Sequence, residues 1–568
     1  MRKFRKQLAA ALALTLAASM TAVPAYAVDI IMQGSSSAAS GALRVKAAKA
    51  GDTAKKLLRT YNAYKLLDLK TSEDGTKFSY TLPDNSKYKA VLQEQVFADA
   101  SEGFWTKQGG KPTKATDVTA EQIIAFLGAL TSDGEEASGE KTEGSLRDFA
   151  DALYRRIKEA KPEISYDATA SDTEGKDAEF SGLQDGYWMI ADVTDISEGS
   201  EEANSLVIIP TAKEDTITVK PKVDVPKVEK KVEEKNDSAT PSEADKEKWQ
   251  DVADYDMGDD VPFKLTGTLP SYLASYDKYT YVFHDNLSDG LTFNNDVAVT
   301  IDGKEIPKDK YTVVTDGLTD VCDFEVRFDD LLKLGVEGLT VTKDSKVVVT
   351  YTAKLGGKDV VIGDKGNPNE VSLEFSNKPY EEGTGKTKPD KVTVFTFKLD
   401  VNKIDMDKHP VKGAGFTLYK FIQNTGKYEP VGEEVKGQDL TKFTWKGLDS
   451  GIYRLVETTV PDGYNKAADI DFKVVATYTT VGEDQQMETL VVQDANGNEI
   501  SGDGDNFVFH TTAANGTITT AVVNTTGMEL PSTGGMGTTL FYVVGGILAA
   551  GAGVLLITKK RMNKMDEQ

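Results

Sequence analysis

The sequence holds a single cysteine, Cys322, in 568 residues. One thiol cannot form an internal disulfide, so any covalent staple within the chain must be of another kind. Cys322 sits among Val321, Phe324 and Val326, a setting that predicts core packing rather than reactivity. Histidine is almost as scarce: His284, His409 and His510 are the only three, and none has metal-ligand or catalytic spacing. No Ser/His/Asp, Cys/His or metal-ligand arrangement is present, so the sequence predicts no metal, no cofactor and no enzyme acting on external substrates. Basic residues are outnumbered, 66 against 90 acidic, for a net charge of -24. That balance argues against nucleic acid and against charge-driven adhesion to anionic lipid. The stretch 494–506 is rich in Asp, Asn and Gly. As a calcium loop, however, it would have Glu499 where glycine is required, and no closing Glu, so a solvated loop is expected.

What is present begins at the two ends. Arg2, Lys3, Arg5 and Lys6 precede the apolar run Leu8 to Met20 and then Ala25-Tyr26-Ala27, an A-x-A cleavage site. Residues 1–27 therefore read as a secretory signal peptide, with the mature chain running from Val28 to Thr533. Near the other end, Leu530-Pro531-Ser532-Thr533-Gly534 is followed by the apolar run Leu540 to Ile557 and by Lys559, Lys560, Arg561 and Lys564. The run is long enough to cross a bilayer, which takes about 17–25 residues, and the basic cluster is expected to stay cytoplasmic. This three-part tail, 530–568, resembles the sorting signal of Gram-positive surface proteins. The resemblance implies that a sortase cuts after Thr533 and passes the acyl group to an amine. The chain would then be secreted and covalently anchored to cell-wall peptidoglycan.

Between the ends, three regions are expected. Residues 28–220 are mixed. The stretch 119–130 reads as a helix with a Thr119/Gln122 capping box and an apolar face of Ile123, Phe126, Leu127 and Leu130. Residues 145–160 read as a second helix. Strands are expected at 77–82, 186–193, 206–209 and 216–219. Residues 221–380 open on a Pro/Lys/Val-rich junction and then alternate as seven short strands, with Asp302-Gly303 as a hairpin turn. After a Gly/Thr/Lys/Glu-rich linker, 379–389, residues 390–526 form another β-rich region whose strands begin at 395–401. The expected fold is mainly β: tandem immunoglobulin-like β-sandwich domains in a rod, with helical insertions in the N-terminal domain.

Strand parity singles out certain polar residues. Phe397, Leu399, Val401 and Lys403 share a face; so do Tyr453, Leu455 and Glu457, and Ile518, Thr520, Val522 and Asn524. A Lys, a Glu and an Asn each end a row that should face the core. Either they meet there, or they lie at exposed strand ends satisfied by solvent. If they meet, desolvation lowers the lysine pKa and raises that of the acid. A neutral Lys403 is a nucleophile, and a protonated Glu457 can hydrogen-bond the Asn524 carbonyl. The product would be a Lys–Asn amide with loss of ammonia.

Tyr453-Arg-Leu-Val-Glu-Thr-Thr-Val-Pro-Asp-Gly-Tyr464 resembles the E-box of pilin subunits and collagen-adhesin B-type domains, with Val460 in place of the usual Ala. Lys403 before Gly413-Ala-Gly-Phe-Thr-Leu-Tyr419 is similar to that family's opening strand, and Asn524 to its closing strand. The resemblance implies a Lys403–Asn524 isopeptide bond assisted by Glu457. The middle region resembles the second domain of fimbrial shaft subunits, through Tyr281-Val-Phe-His-Asp285, Gly290-Leu-Thr-Phe293 and Gly366-Asn-Pro-Asn369, and that resemblance implies a bond of its own. Val228, Lys230 and Val232 share a face, as do Asn369, Val371, Leu373 and Phe375, and Tyr279, Tyr281, Phe283 and Asp285. The expected set is Lys230, Asn369 and Asp285, with Lys231 and Asn367 as near alternatives and a turn-capping role for Asp285 as the other reading. The first region resembles the N-terminal domain of the same subunits through Tyr61-Asn-Ala-Tyr-Lys-Leu-Leu67 and Leu183-Gln-Asp-Gly-Tyr-Trp188.

Taken together, the resemblance is to a sortase-assembled backbone pilin. It implies that the chain is a substrate of pilus-specific and housekeeping sortases. The expected partners are identical subunits joined head to tail, minor pilins, peptidoglycan and a host receptor. The joining amine is expected at Lys222, in Thr216-Ile-Thr-Val-Lys-Pro-Lys222, where only Pro-Lys of the usual Tyr-Pro-Lys-Asn motif is kept. Lys213, Lys220 and Lys227 are its competitors.

Overall fold

The computed structural model describes residues 43–45 and 57–526, apart from 74–76, 133–142, 174–176, 181, 213–216, 220–222, 240–247, 358, 364, 482–483 and 503–507. The chain is mainly β, and among the described residues every α-helix lies between Lys89 and Glu159. It divides into two compact units. One comprises 1–235, 242–396 and 478–486; the other comprises 236–241, 397–477 and 487–568.

In the first unit, the strand Thr60–Thr71 is the axis of the N-terminal sheet and pairs with Phe78–Thr81, Ala168–Ser171 and Gly186–Asp192. Simple alternation does not reveal this strand. Ala63 and Tyr64 are both buried because they face different cores on the two sides of the sheet, and a register shift between Lys65 and Leu67 then turns Leu66 and Leu67 into the same core. The helices form as expected at Ala120–Ala129 and Leu146–Glu159. Gln122 N donates to Thr119 Oγ1 at 3.2 Å, and Thr119 N donates to Gln122 Oε1 at 2.9 Å, closing the capping box. Two more helices, Lys89–Asp99 and Glu102–Lys107, were not legible. The first has no capping side chain and buries Gln93 and Gln95 along with Val91, Leu92 and Val96, so its polar pattern gives no clean face. Residues 206–209 are not a strand; they contribute an isolated bridge, Ile190 with Ile208.

The same unit holds a sandwich of two sheets. One contains Val228–Glu233, Asp260–Gly267 and Val347–Leu355; the other contains Tyr281–Leu287, Phe324–Phe328, Asn367–Ser376 and Asp390–Phe395. Inward residues such as Phe263, Leu265, Tyr281, Phe283, Val349 and Leu373 fill the space between them. Asp302 and Gly303 both take positive φ, 51° and 78°, and Ile301 pairs with Lys304 across that turn. The stretch expected to be a linker carries structure: Thr384–Lys386 pairs with Asn367–Ser376. Tyr380 OH donates to Asp151 Oδ1 at 2.5 Å, and Ser275 Oγ donates to Asp151 Oδ2 at 2.6 Å, fixing the last N-terminal helix to the sandwich.

In the second unit, Phe397–Asp405 is flanked by Lys442–Leu448, antiparallel, and Thr517–Asn524, parallel. The opposing sheet contains Gly415–Ile422 and Gly451–Thr459. The single strand expected at 395–401 is the end of one strand and the start of another. Asp390–Phe395 pairs with Asn367–Val371 in the first unit, and Phe397 begins the second unit's sheet. A continuous β-pattern carries no mark of where the pairing partner changes.

Candidate functional site

In the middle sandwich, the alternation of Val228–Glu233 turns Lys230 and Val232 inward. Lys230 is fully buried, as are Asp285, Asn367 and Asn369. Its Nζ donates to Asp285 Oδ2 at 2.5 Å and to Asn369 Oδ1 at 2.6 Å. The lysine comes from one sheet, and the acid and the amide from the other. Phe263 and Tyr351 line the pocket, each with its ring centre 5.6 Å from Nζ.

Burial pushes the Lys230 pKa down to about 8, against the pull of Asp285. Burial also raises the Asp285 carboxyl, against the pull of Lys230. Both shifts favour an uncharged amine beside an uncharged acid.

The alternatives are occupied elsewhere. Lys231 points outward and pairs with Asp251 Oδ1 at 2.6 Å. Asn367 spends its amide on backbone, donating to Val361 O and Val394 O at 3.0 and 3.1 Å. Asp285 does not cap the 286–290 turn, because both its oxygens face Lys230 and Tyr351.

Tyr351 was missed by sequence reasoning. Its OH donates to Asp285 Oδ1 at 2.9 Å and accepts from Asn369 Nδ2 at 2.8 Å and from Lys230 Nζ at 3.0 Å. The available signal was its inward parity with Val347 and Val349 on one strand.

The second unit carries the other set. Lys403, Glu457 and Asn524 are all buried, not at solvent-exposed strand ends. The parallel register puts Lys403 opposite Val522 and Asp405 opposite Asn524, so the lysine and the amide sit two residues apart along neighbouring strands. Glu457 reaches them from the facing sheet. Lys403 Nζ lies 3.9 Å from Glu457 Oε1 and donates to Val522 O at 3.0 Å. Burial lowers its pKa to about 8.

The amide is turned opposite to expectation. Asn524 presents Nδ2, not its carbonyl, to Glu457 Oε1 at 2.9 Å, because a carboxylate oxygen accepts and an amide NH2 donates. Asn524 Oδ1 is left buried with no hydrogen-bond partner among the described residues.

Cys322 is not a core residue. It is half-buried, and neighbouring Val321 is exposed. Its Sγ lies 3.0 Å from Asp320 Oδ1, beside His284 and Glu325. Burial and the hydrogen bond to Asp320 push the thiol well above its ordinary range, which favours the protonated form. Lys222, with Lys213 and Lys220, falls outside the described residues, as do Leu530, Pro531, Ser532, Thr533 and Gly534 and the apolar run 540–557. Lys227 is described and exposed. Among the described residues no helix is long and apolar enough to cross a membrane.

Comparison with known proteins gives these geometries a context. Residues 257–379 match the Gram-positive pilin backbone subunit 2, Cna-B-like domain. Residues 397–486 match the SpaA prealbumin-like fold domain, and 523–564 the LPXTG cell wall anchor motif. By these matches the chain is similar to Gram-positive backbone pilins. The anchor match also makes this pilin-like chain a cell-wall-anchored surface protein.

A curated relative, the trypsin-resistant surface T6 protein of Streptococcus pyogenes serotype M6, is 26% identical over 362 residues. That match spans 54% of this chain and 65% of the relative. Among solved structures, the T6 backbone pilin of the same organism aligns with a TM-score of 0.45 and 17% identity, covering 87% of this chain and 100% of that one. The full-length major pilin SpaD of Corynebacterium diphtheriae aligns with a TM-score of 0.40 and 16% identity, covering 86% and 98%.

Proposed function

We propose that the chain is the structural backbone subunit of a covalently polymerised surface pilus, stabilised by isopeptide bonds within its domains and supporting adhesion to a host receptor. The observation that carries the reading is a pair of buried lysine, acid and asparagine sets, Lys230/Asp285/Asn369 and Lys403/Glu457/Asn524. Asp285 and Asn369 fall within the pilin-backbone match, and Lys403 and Glu457 within the prealbumin-like match. A buried lysine left unbonded is costly. Lys230, held against the Asn369 amide with its charge disfavoured by burial, is instead a nucleophile at its electrophile, and Lys403 lies on the strand beside Asn524. In each set the amine attacks the asparagine Cγ, the C–Nδ2 bond breaks, and ammonia leaves with a proton that the amine gives up. Asp285 and Glu457 move that proton. The reaction turns over once and needs no cofactor, so the chain is a product of its own chemistry and not an enzyme on other molecules.

The proposed domain plan is 28–220, 221–380 and 390–526 between the signal peptide and the sorting tail. Sortase would join Thr533 of one subunit to the Lys222 side chain of the next. The contact is head to tail and does not close, so it propagates as a fibre. A pilus sortase would build the polymer with minor pilins, and a housekeeping sortase would attach it to peptidoglycan. Immunoblotting of cell-wall extracts tests the reading: a ladder of high-mass species is expected, and a single anchored band would show a monomeric surface protein instead.

A further inference from the structure

The two sets are not built alike, and the difference lies in how the acid reaches the amide. Glu457 contacts Asn524 directly, with Nδ2 donating to Oε1 at 2.9 Å. Asp285 has a shorter side chain, and among the described residues no hydrogen bond joins it to Asn369. Tyr351 fills that gap. Its hydroxyl lies 2.9 Å from Asp285 Oδ1 and 2.8 Å from Asn369 Nδ2, the atom that must leave as ammonia. The other carboxyl oxygen, Oδ2, is 2.5 Å from Lys230 Nζ. The atoms form a closed circuit: Nζ, Oδ2, Oδ1, the phenol oxygen, Nδ2 and back through the amide carbon to Nζ.

We infer that Tyr351 is a catalytic residue of the middle crosslink, relaying a proton from Asp285 to the departing nitrogen of Asn369. The inference rests on the crosslink reading above. The step starts from neutral Lys230 and from Asp285 carrying its proton on Oδ1, so that the acid donates to the phenol oxygen and the phenol hydrogen turns towards Nδ2, which becomes an acceptor once Cγ is tetrahedral. Nζ bonds to Cγ of Asn369 and passes one N–H proton to Oδ2. Oδ1 passes its proton to the phenol oxygen, and the phenol passes its own to Nδ2. The C–Nδ2 bond breaks and ammonia leaves. Asp285 and Tyr351 end neutral, and the amine has lost one hydrogen, which the ammonia has gained.

A carboxylic acid suits this exchange because it accepts on one oxygen as it gives on the other. A hydroxyl suits it for the same reason, being donor and acceptor at one atom. The pocket is buried, and burial holds the Tyr351 phenol well above its ordinary pKa, so it keeps a proton to give. Stacking on Phe263, at 5.4 Å between ring centres, and edge contacts with Phe293 and Phe324 fix the ring without using the hydroxyl. Tyr351→Phe should therefore preserve packing.

The test is a pulse of the full mature chain made by cell-free translation, quenched in denaturant at intervals and read by peptide mapping of each crosslink. Tyr351→Phe should slow the Lys230–Asn369 bond by about 10²-fold or more, the usual scale of general acid–base catalysis. The Lys403–Asn524 bond, beside which no tyrosine hydroxyl bonds to Glu457 or Asn524 among the described residues, serves as the internal clock and should be unchanged. Fluorotyrosine at 351 keeps the ring and alters the phenol acidity, so it should change the rate of the middle bond alone; packing would not respond. A middle bond that forms at the wild-type rate in Tyr351→Phe, or with no response to fluorotyrosine, overturns the relay and leaves the crosslink reading standing. If wild type never loses ammonia from this pair, the crosslink reading itself falls, and the relay with it.

Discussion

Lys230 Nζ lies 2.6 Å from the side-chain oxygen of Asn369, across 139 residues of sequence and from one sheet of the sandwich to the other. The contact is fully buried, and the acid that completes it touches the same nitrogen at 2.5 Å. A covalent bond at that point would tie the two sheets together, which hydrogen bonds within each sheet do not do.

The mature protein should be lighter than its sequence by two ammonia. Lys230→Ala or Asn369→Ala should return one of them, and linear peptides containing Lys230 and Asn369 should reappear. Asp285→Ala should leave both partners present but unjoined. That variant also strands a buried lysine without its acid, a change worth about 3–5 kcal/mol and readable as a lower denaturation midpoint. Recovery of unmodified Lys230 and Asn369 from wild type would refute the assignment.

Lys403→Ala and Glu457→Ala should each return the other ammonia. The bond from Lys403 to Asn524 closes a loop of roughly 120 residues, and by analogy with disulfides such closure stabilises by about 4–5 kcal/mol. Calorimetry should show a lower Tm for the second unit's transition in both variants. An unchanged intact mass in Lys403→Ala, after correction for the substitution, would rule the bond out.

Asn524→Ala should add a pH dependence of stability, set by Lys403, that wild type lacks. Without the bond, Lys403 keeps an amine whose folded pKa is about 8 against an ordinary 10.5. Below about 8 the lysine is protonated in both states, and the fold bears the full cost of a buried charge. Between these two values the unfolded chain binds more protons than the folded one, so stability rises with pH; above 10.5 the gain stops. A shift of this size corresponds to roughly 3 kcal/mol. Denaturant midpoints near pH 7 and pH 10 should diverge for Asn524→Ala relative to wild type, whose amine has been consumed. Parallel midpoints would mean that the amine is free in both proteins or buried in neither.

Lys222→Ala, expressed in the native host, should abolish the high-mass ladder and leave wall-anchored monomer. A proline has no N–H to offer a neighbouring strand, so from the sequence the lysine after Pro221 is expected at an accessible junction. Lys227→Ala is the informative control, because Lys227 is exposed nearby. A ladder that survives the first substitution and is lost in the second would move the joining amine to Lys227.

The sequence by itself determined the mainly β class and set out the candidate residues of both sites. The tail is a linear signal. Strand parity puts Lys230, Asp285 and Glu457 on the same faces as Val232, Phe283 and Leu455, but it left exposed strand ends open, and the family resemblance was needed to group them into sets. Tertiary structure decided what linear spacing cannot encode. It chose Lys230 and Asn369 over Lys231 and Asn367 by giving the latter two other partners. It broke the apparent strand at 395–401 between two sheets, and it hid the strand Thr60–Thr71 behind a bulge that shifts its alternation. It also brought in Tyr351, an ordinary inward aromatic on its own strand, which becomes part of a reacting group only because a shorter acid on the facing sheet stops one hydroxyl short of the amide.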